Sequence, residues 1–180
     1  KSVAAQINAL DSDMPADAIK IGTLASRDTV ETVANYLDDY KGVVIYDLEL
    51  ESAGESLLGE AKDLLEERIL PRVNLLVVNI EETCALTGSK IGSLSDMSSV
   101  ASQLLEKGSQ AVLVTGGAFS DFAGKRFDLW SDGTREVWIE VEPIHTANNR
   151  GGGCVLSAVL AAAIAKGMTI EDALRLGKAY

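Results

Sequence analysis

Several residue types are scarce in this sequence, and each scarcity excludes a class of protein. Only 2 of the 180 residues are cysteines, Cys84 and Cys154, and they form no CxxC or zinc-binding pattern. A disulfide framework and a structural metal site are therefore not indicated, and a reducing compartment is expected: the cytoplasm, or the plastid stroma in a photosynthetic eukaryote. The single histidine, His145, has no cysteine, histidine or paired carboxylate near it in the sequence, which favours a structural role.

Positive charge is also scarce. The chain has 16 Lys and Arg residues against 27 Asp and Glu residues, a formal net charge of −11, and the basic residues are scattered. This charge argues against a nucleic-acid partner, because nucleic-acid-binding proteins neutralise phosphates with clustered cations. A phosphorylated substrate would have to be bound locally, by backbone N–H groups, a metal ion or a few placed cations.

Long hydrophobic runs are missing as well. The most apolar stretch, residues 154–165, is too short to span a bilayer, and we find no signal peptide or lipidation motif, so no membrane partner is expected. A length of 180 residues with 47% hydrophobic and 24% charged residues is typical of one globular domain, and we expect residues 1–180 to form it. Residues 1–10 predict a helix that is already under way, which indicates a fragment or a processed product.

Short β-rich apolar segments alternate with longer amphipathic segments. This alternation predicts an α/β fold, a mostly parallel central sheet with helices on both faces. The predicted strands are residues 18–21, 43–46, 75–78 and 111–114. The predicted helices are residues 26–40, 55–69, 81–86, 95–107, 154–166 and 169–180. Residues 127–130 and 136–141 flank an Asp-Gly turn, so we expect an antiparallel hairpin at the edge of the sheet.

Three glycines, Gly151, Gly152 and Gly153, lead directly into the helix predicted from Cys154. Glycine lets the backbone approach a ligand closely, and the unpaired N–H groups of a helix N-terminus suit an anion. The same helix terminus would stabilise the thiolate of Cys154, which suits that residue to act as a base or a nucleophile. A flexible turn followed by a buried cysteine explains the same spacing equally well.

Five motifs occur together and in order, and they extend over almost all of the chain. They are Lys20-Ile-Gly-Thr-Leu24, Val43-Val-Ile-Tyr-Asp47 followed by Ser-Ala-Gly54, Leu70-Pro-Arg-Val-Asn-Leu-Leu-Val-Val-Asn79 followed by Glu82, Ala111-Val-Leu-Val-Thr-Gly-Gly117, and Gly151-Gly-Gly-Cys154. In this order and spacing the chain resembles the hydroxymethylpyrimidine and phosphomethylpyrimidine kinases of thiamine biosynthesis, which belong to the ribokinase-like superfamily.

The resemblance implies a ribokinase-like fold and an ATP-dependent kinase that uses ATP and Mg²⁺. It implies a small-molecule substrate, a hydroxymethylpyrimidine or its monophosphate, with a related pyridoxal-type alcohol left open. It also implies that the chain is truncated relative to the family, because the family's opening segment and a short C-terminal piece have no counterpart here.

The resemblance further implies roles for individual residues. Gly151, Gly152 and Gly153 would form an anion hole for the transferred phosphoryl group, with Cys154 as the base that takes the proton of the substrate hydroxyl. The other expected contacts are Asn79 on the ATP phosphates, Glu82 on Mg²⁺, Thr115 and Gly117 on the nucleotide, and Thr23 and Leu48 in the pyrimidine pocket. Without the resemblance, Glu82 is an exposed carboxylate at a helix N-terminus and the Thr115 loop an ordinary strand-ending turn.

Four positions that face ligands in the family depart from its pattern. Tyr46 stands where a metal-side Asp is expected, Thr115 replaces a Lys, Thr23 replaces a Met and Gly152 replaces a Thr. A one-residue shift along a strand turns a side chain to the other face, so Asp47 is not expected to replace the missing Asp. These changes support a second hypothesis, a kinase-derived pseudoenzyme retained as a binding or scaffold subunit. We expect a homo-oligomer for the kinase and a protein partner for the pseudoenzyme.

Overall fold

A six-stranded sheet forms the centre of the protein. In the computed structural model, which describes residues 2–49, 61–116, 125–141 and 151–179, the strands lie in sequence order across the sheet. They are β1 (Ala18–Ile21), β2 (Val43–Asp47), β3 (Leu75–Asn79), β4 (Val112–Thr115), β5 (Arg126–Ser131) and β6 (Glu136–Val141). Strands β1 to β4 are parallel, whereas β4, β5 and β6 pair antiparallel. The predicted parallel sheet and its edge hairpin are confirmed.

Helices cover both faces of this sheet, as the alternation of segments predicts. The described helices are α1 (Val3–Asp13), α2 (Arg27–Asp39), α3 (Ile80–Thr87), α4 (Leu94–Leu105), α5 (Gly152–Ala165) and α6 (Ile170–Ala179). One face carries α2, α3, α4 and residues 61–72, and the other face carries α5 and α6. Within the described ranges, no helix is both long and apolar enough to cross a bilayer.

The inner strands are buried on both faces, which explains their continuous apolar sequences. In β2, Val44 and Tyr46 belong to the core under α2 and α4, whereas Ile45 belongs to the core under α5 and α6. In β3, Leu76 and Val78 alternate with Leu75 and Val77 in the same way. Because side chains alternate along a strand, Asp47 at the end of β2 lies on the α5 face.

Most helix boundaries differ from those predicted by one or two residues, and three differences have a local structural reason. Helix α1 begins at Val3, and the Ser2 hydroxyl accepts a hydrogen bond from the Ala5 N–H at 3.3 Å, so Ser2 is its N-cap. The helix predicted over residues 55–69 is described from residue 61, and it ends through a π-helix, Leu65–Ile69, and a 3₁₀ turn, Leu70–Arg72. Pro71 has no N–H to donate, so the α-helical ladder cannot continue past it. The third difference is at the start of α5, which forms part of the candidate active site.

Candidate active site

A cleft of about 280 Å³ lies beyond the carboxyl ends of β2, β3 and β4. Ligands of open α/β sheets collect at this position. It is lined by Asp47, Leu48, Glu49, Val77, Asn79, Glu82, Thr115, Gly151, Gly152, Gly153 and Cys154. Eight of the ten residues singled out in the sequence therefore meet in one place. A larger hollow of about 610 Å³ lies between α1 and α2, and none of those ten residues lines it.

The glycines form the wall of this cleft at the start of α5. Gly151 is the N-cap with φ 81° and ψ 1°, a left-handed conformation that favours glycine. The helix begins at Gly152, two residues earlier than predicted, and the first helical hydrogen bond runs from the Val155 N–H to the Gly151 carbonyl at 2.9 Å. The N–H groups of the preceding helical residues have no partner within the helix, so they can serve an anion. A Cβ added at any of the three glycines would meet no atom within 4 Å, which leaves open space at this wall.

Cys154 lies in the first turn of α5, but its surroundings differ from the prediction. Burial raises the pKa of its thiol, the hydrogen bond and charge of Asp47 raise it further, and the nearby Lys20 cation opposes them in part. The Cys154 sulfur is also 4.0 Å from a Glu49 carboxylate oxygen. The prediction of a thiolate favoured at this position is therefore wrong, because burial and the two carboxylates raise the pKa of the thiol above its ordinary value. The raised pKa favours the thiol form of Cys154.

Asp47 lines the cleft, although the sequence did not single it out as a site residue. Its carboxylate forms an ion pair with Lys20 at 2.9 Å and accepts a hydrogen bond from the Ser157 hydroxyl at 2.9 Å. Lys20 pairs in register with Ile45, which lies on the same face, so strand alternation could have brought Lys20 and Asp47 together. Cys154 and Ser157 are three residues apart, so helical periodicity could likewise have placed them on the same face of the helix.

Tyr46, by contrast, does not line the cleft. It is 1% exposed and packs in the core under α2 and α4, one residue away from the cleft-facing Asp47. Burial raises the pKa of its phenol, and the charges of Glu82 and Asp47 raise it further. The expectation that Tyr46 stands at the metal side of the site is wrong, because the alternation of β2 turns the carboxylate of Asp47, and not the phenol of Tyr46, toward α5.

Asn79 and Glu82 form a capping box at the start of α3. The Asn79 side chain accepts the Glu82 N–H at 2.8 Å, and the Glu82 carboxylate accepts the Asn79 N–H at 2.7 Å. Glu82 is buried, at 7% exposure, so the alternative of an exposed helix-terminal carboxylate is wrong. The box fixes both side chains on the cleft wall opposite the glycines.

These donors fit a magnesium ion of the usual protein type. Mg²⁺ keeps several waters and takes one or two carboxylates together with phosphate oxygens. Glu82 offers such a carboxylate on the cleft wall. Among the described residues, no group of three or more His, Cys, Asp and Glu side chains forms a metal site by itself.

The remaining predicted site residues differ in whether they line the cleft. Leu48 lines the cleft, and Thr115 lines it with its hydroxyl donating to the Val78 carbonyl at 3.3 Å. Thr23 does not line it, but its hydroxyl donates to Glu49 at 2.5 Å, so it supports a residue that does. Glu49 has no partner that is evident from sequence, and only the fold brings it to the cleft. Gly117 and His145 lie outside the described residues.

Comparison with known proteins decides the family. A model of the phosphomethylpyrimidine kinase family matches residues 1–180. The chain belongs to this family. It is 34% identical to the hydroxymethylpyrimidine/phosphomethylpyrimidine kinase of Rhizobium meliloti, over 99% of this chain and 67% of that protein. The family predicted from the five motifs is thereby confirmed.

Solved structures of phosphomethylpyrimidine kinases and their neighbours share the fold. Phosphomethylpyrimidine kinase from Clostridium difficile matches with a TM-score of 0.81 at 26% identity, over 98% of this chain and 71% of that one. Pyridoxal kinase from Bacillus subtilis, solved as an ADP complex, matches with a TM-score of 0.86 at 27% identity, over 98% and 67% of the two chains. The ribokinase-like α/β prediction is confirmed. The chain spans about two thirds of the length of the curated relatives it matches.

A buried carboxylate holds the end of β4 beside the cleft. Asp128, on β5, is 3% exposed and accepts the Gly116 N–H at 2.9 Å, and its other oxygen is ion-paired with Lys178 of α6. A Cβ on Gly116 would collide with the Phe127 carbonyl oxygen, so only glycine fits at this turn. Asp128 thereby fixes the backbone that follows Thr115.

Asp128→Ala is expected to lower the free energy of unfolding by about 3 kcal/mol, because the Lys178 charge and the Gly116 N–H would lose a buried partner. Arg175→Ala is a matched control on the same helix, since its pair with Asp172 is exposed and is worth about 0–1 kcal/mol. Urea unfolding of both variants measures the difference. Equal losses in the two variants would show that the Asp128 contacts contribute no more than a surface pair.

Proposed function

We propose that this chain carries the phosphoryl-transfer site of an ATP-dependent kinase that phosphorylates hydroxymethylpyrimidine or its monophosphate in thiamine biosynthesis. One observation carries the proposal: the N-terminus of α5, with its open glycine wall and Cys154, lines the same cleft as Asn79 and Glu82. An anion-binding helix terminus, a candidate proton acceptor and a magnesium-compatible carboxylate are the parts that phosphoryl transfer needs. Family membership supports the same reaction.

The charge of the cleft defines how ATP would bind. The protein has a net charge of −11, and Asp47, Glu49 and Glu82 all line the cleft, so a bare triphosphate would be repelled. The N–H groups at the start of α5 would hold the transferred phosphoryl group, and Asn79 the neighbouring phosphates. When bound, Mg²⁺ would neutralise phosphate charge, and Glu82 would hold it. Thr115, at the end of β4, would contact the nucleotide.

Cys154 would take the proton from the substrate hydroxyl. Because burial and Asp47 raise the pKa of the thiol, most of it is protonated at neutral pH and only the thiolate can accept a proton. The rate should therefore rise as the pH increases toward the pKa of Cys154. Leu48 would contact the pyrimidine ring, and Thr23 would act through Glu49, whose position it fixes.

We further propose that residues 1–180 form one domain, that the protein works in a reducing compartment, and that it forms a homo-oligomer. The pseudoenzyme hypothesis keeps Thr115, Thr23 and Gly152 as its arguments. Tyr46 no longer supports this hypothesis, because it is a core residue and its identity does not bear on ligand binding in the cleft.

The test is ATP turnover by the full-length protein with hydroxymethylpyrimidine, with its monophosphate and with pyridoxal, followed as ADP release and as phosphorylated product. The kinase proposal expects product with one or both pyrimidines and dependence on Mg²⁺. Product with pyridoxal alone would reassign the substrate class. Substrate binding without any ADP release, at saturating ATP and Mg²⁺, would support the pseudoenzyme.

Glu82→Gln tests the magnesium assignment without disturbing the fold. Glutamine keeps a side-chain oxygen for the Asn79 N–H and so preserves the capping box, but it removes the charge. We expect the Mg²⁺ concentration for half-maximal turnover to rise by about tenfold, which corresponds to ~1.4 kcal/mol. Glu81→Gln is the matched control, because Glu81 is exposed in the same helical turn. An unchanged Mg²⁺ requirement in Glu82→Gln would contradict the assignment.

A further inference from the structure

A largely buried ion pair lies near Cys154. Lys20, at the third position of β1, contacts Asp47 at 2.9 Å, with only 22% and 10% of the two side chains exposed. Asp47 in turn accepts the Ser157 hydroxyl at 2.9 Å, and Ser157 also donates to the Cys154 carbonyl at 3.0 Å. Two strands and the first turns of α5 are therefore joined through one carboxylate.

The groups around the sulfur have opposite charges. Lys20 from β1, Asp47 from the end of β2 and Glu49 just after it are the charged groups that act on Cys154. Burial lowers the pKa of the Lys20 ammonium, but the hydrogen bond and charge of Asp47 raise it more, so Lys20 stays charged at neutral pH. A cation and two carboxylates thus compete at one thiol.

We propose that Lys20 and Asp47 are positioning residues that set the protonation state of Cys154, Lys20 favouring the thiolate and Asp47 favouring the thiol. Asp47 lies one residue after Tyr46, the position at which the family pattern has its Asp. A partly buried charge pair is costly to form, and packing alone does not require one here. Its position next to the proposed base gives it a role.

The experiment measures the alkylation of Cys154 by iodoacetamide between pH 6 and 10, in the full-length protein, by peptide mass spectrometry. Cys84 in the same molecule is the internal reference. Asp47→Asn should accelerate the reaction at neutral pH and Lys20→Met should slow it, each on the order of fivefold, the effect of one unit charge about 4 Å away in water-like surroundings. The double variant should return toward wild type, because both charges are gone.

Lys107→Met is the matched control, since Lys107 forms an ion pair of the same length, 2.9 Å, with Glu66 at similar exposure away from the cleft. It should leave Cys154 unchanged. Lys20→Gln serves as a second neutral variant, and thermal melting of each protein verifies its folding. Shifts in the same direction in both single variants, or no shift in either, would overturn the proposal.

Because the turnover role of Cys154 rests on the proposed function, the pH profile of turnover is a separate readout. If the kinase proposal also holds, the alkaline rise in rate should move in the same direction as alkylation in each variant. Shifted alkylation in a protein that has no kinase activity would support the charge pair and contradict the proposed function. Unshifted alkylation in an active kinase would do the reverse.

Discussion

Replacing Cys154 with alanine is expected to reduce kinase turnover by about 10²–10⁴-fold, the usual contribution of a positioned proton acceptor. The substrate hydroxyl would lose the acceptor at the start of α5, while the N–H groups of that turn would remain to hold the phosphoryl group. Turnover should therefore fall more than substrate affinity does. Steady-state kinetics with ATP and the pyrimidine alcohol measure the two effects separately.

Two comparisons make this result interpretable. Cys84→Ala removes the other cysteine, which lies on α3 and does not line the cleft, and it should leave turnover unchanged. The slow residual rate of Cys154→Ala should also lose the pH dependence that the thiol imposes. A Cys154→Ala protein with wild-type turnover would remove Cys154 from the mechanism and would point to Asp47 or Glu49 as the proton acceptor.

The sheet could be predicted because its strands are short apolar runs covered on both faces. Val43–Asp47 and Leu75–Asn79 extend the predicted strands by one polar residue each, at the end where the cleft lies. Helix N-caps could also be predicted: the Ser26 hydroxyl accepts the Thr29 N–H at 3.3 Å, and the Thr169 hydroxyl accepts the Asp172 N–H at 3.2 Å. These signals are local, so sequence alone carries them.

The environment of Cys154 could not be predicted in the same way. Whether the pKa of Cys154 is raised or lowered depends on burial and on Lys20 and Asp47. These two residues are distant from Cys154 in the sequence and come close to it only in the folded protein. A helix N-terminus favours a thiolate, but the local signal omits the carboxylates that face it. The start of α5 was also missed by two residues, because glycine is a poor helix former and its place in a first turn is decided by packing.

For Tyr46, matching the sequence to the family pattern residue by residue predicts the wrong location of the side chain. Asp at this position matches the family pattern, so Tyr46→Asp suggests itself as a way to restore a metal ligand. Tyr46 is 1% exposed, however, and it packs among core residues beside Glu82. An aspartate there would leave a cavity and add a carboxylate to a region that already raises the pKa of the phenol.

Tyr46→Asp is therefore expected to lower the free energy of unfolding by about 4 kcal/mol or more at pH 7, through the lost aromatic packing and the buried charge. Tyr46→Phe, which keeps the ring, should cost about 1 kcal/mol. Urea unfolding of the two variants measures the difference.

The pH dependence separates the charge from the cavity. Burial would raise the pKa of the new carboxyl above its value of about 3.9 in the unfolded chain, so the folded state binds the extra proton and the charge penalty grows as the pH rises. The deficit of Tyr46→Asp should thus shrink toward pH 4, while the cavity part remains. If Tyr46→Asp instead folds as stably as wild type and binds Mg·ATP more tightly, the side chain at position 46 reaches the cleft, and the assignment of Tyr46 to the core is wrong.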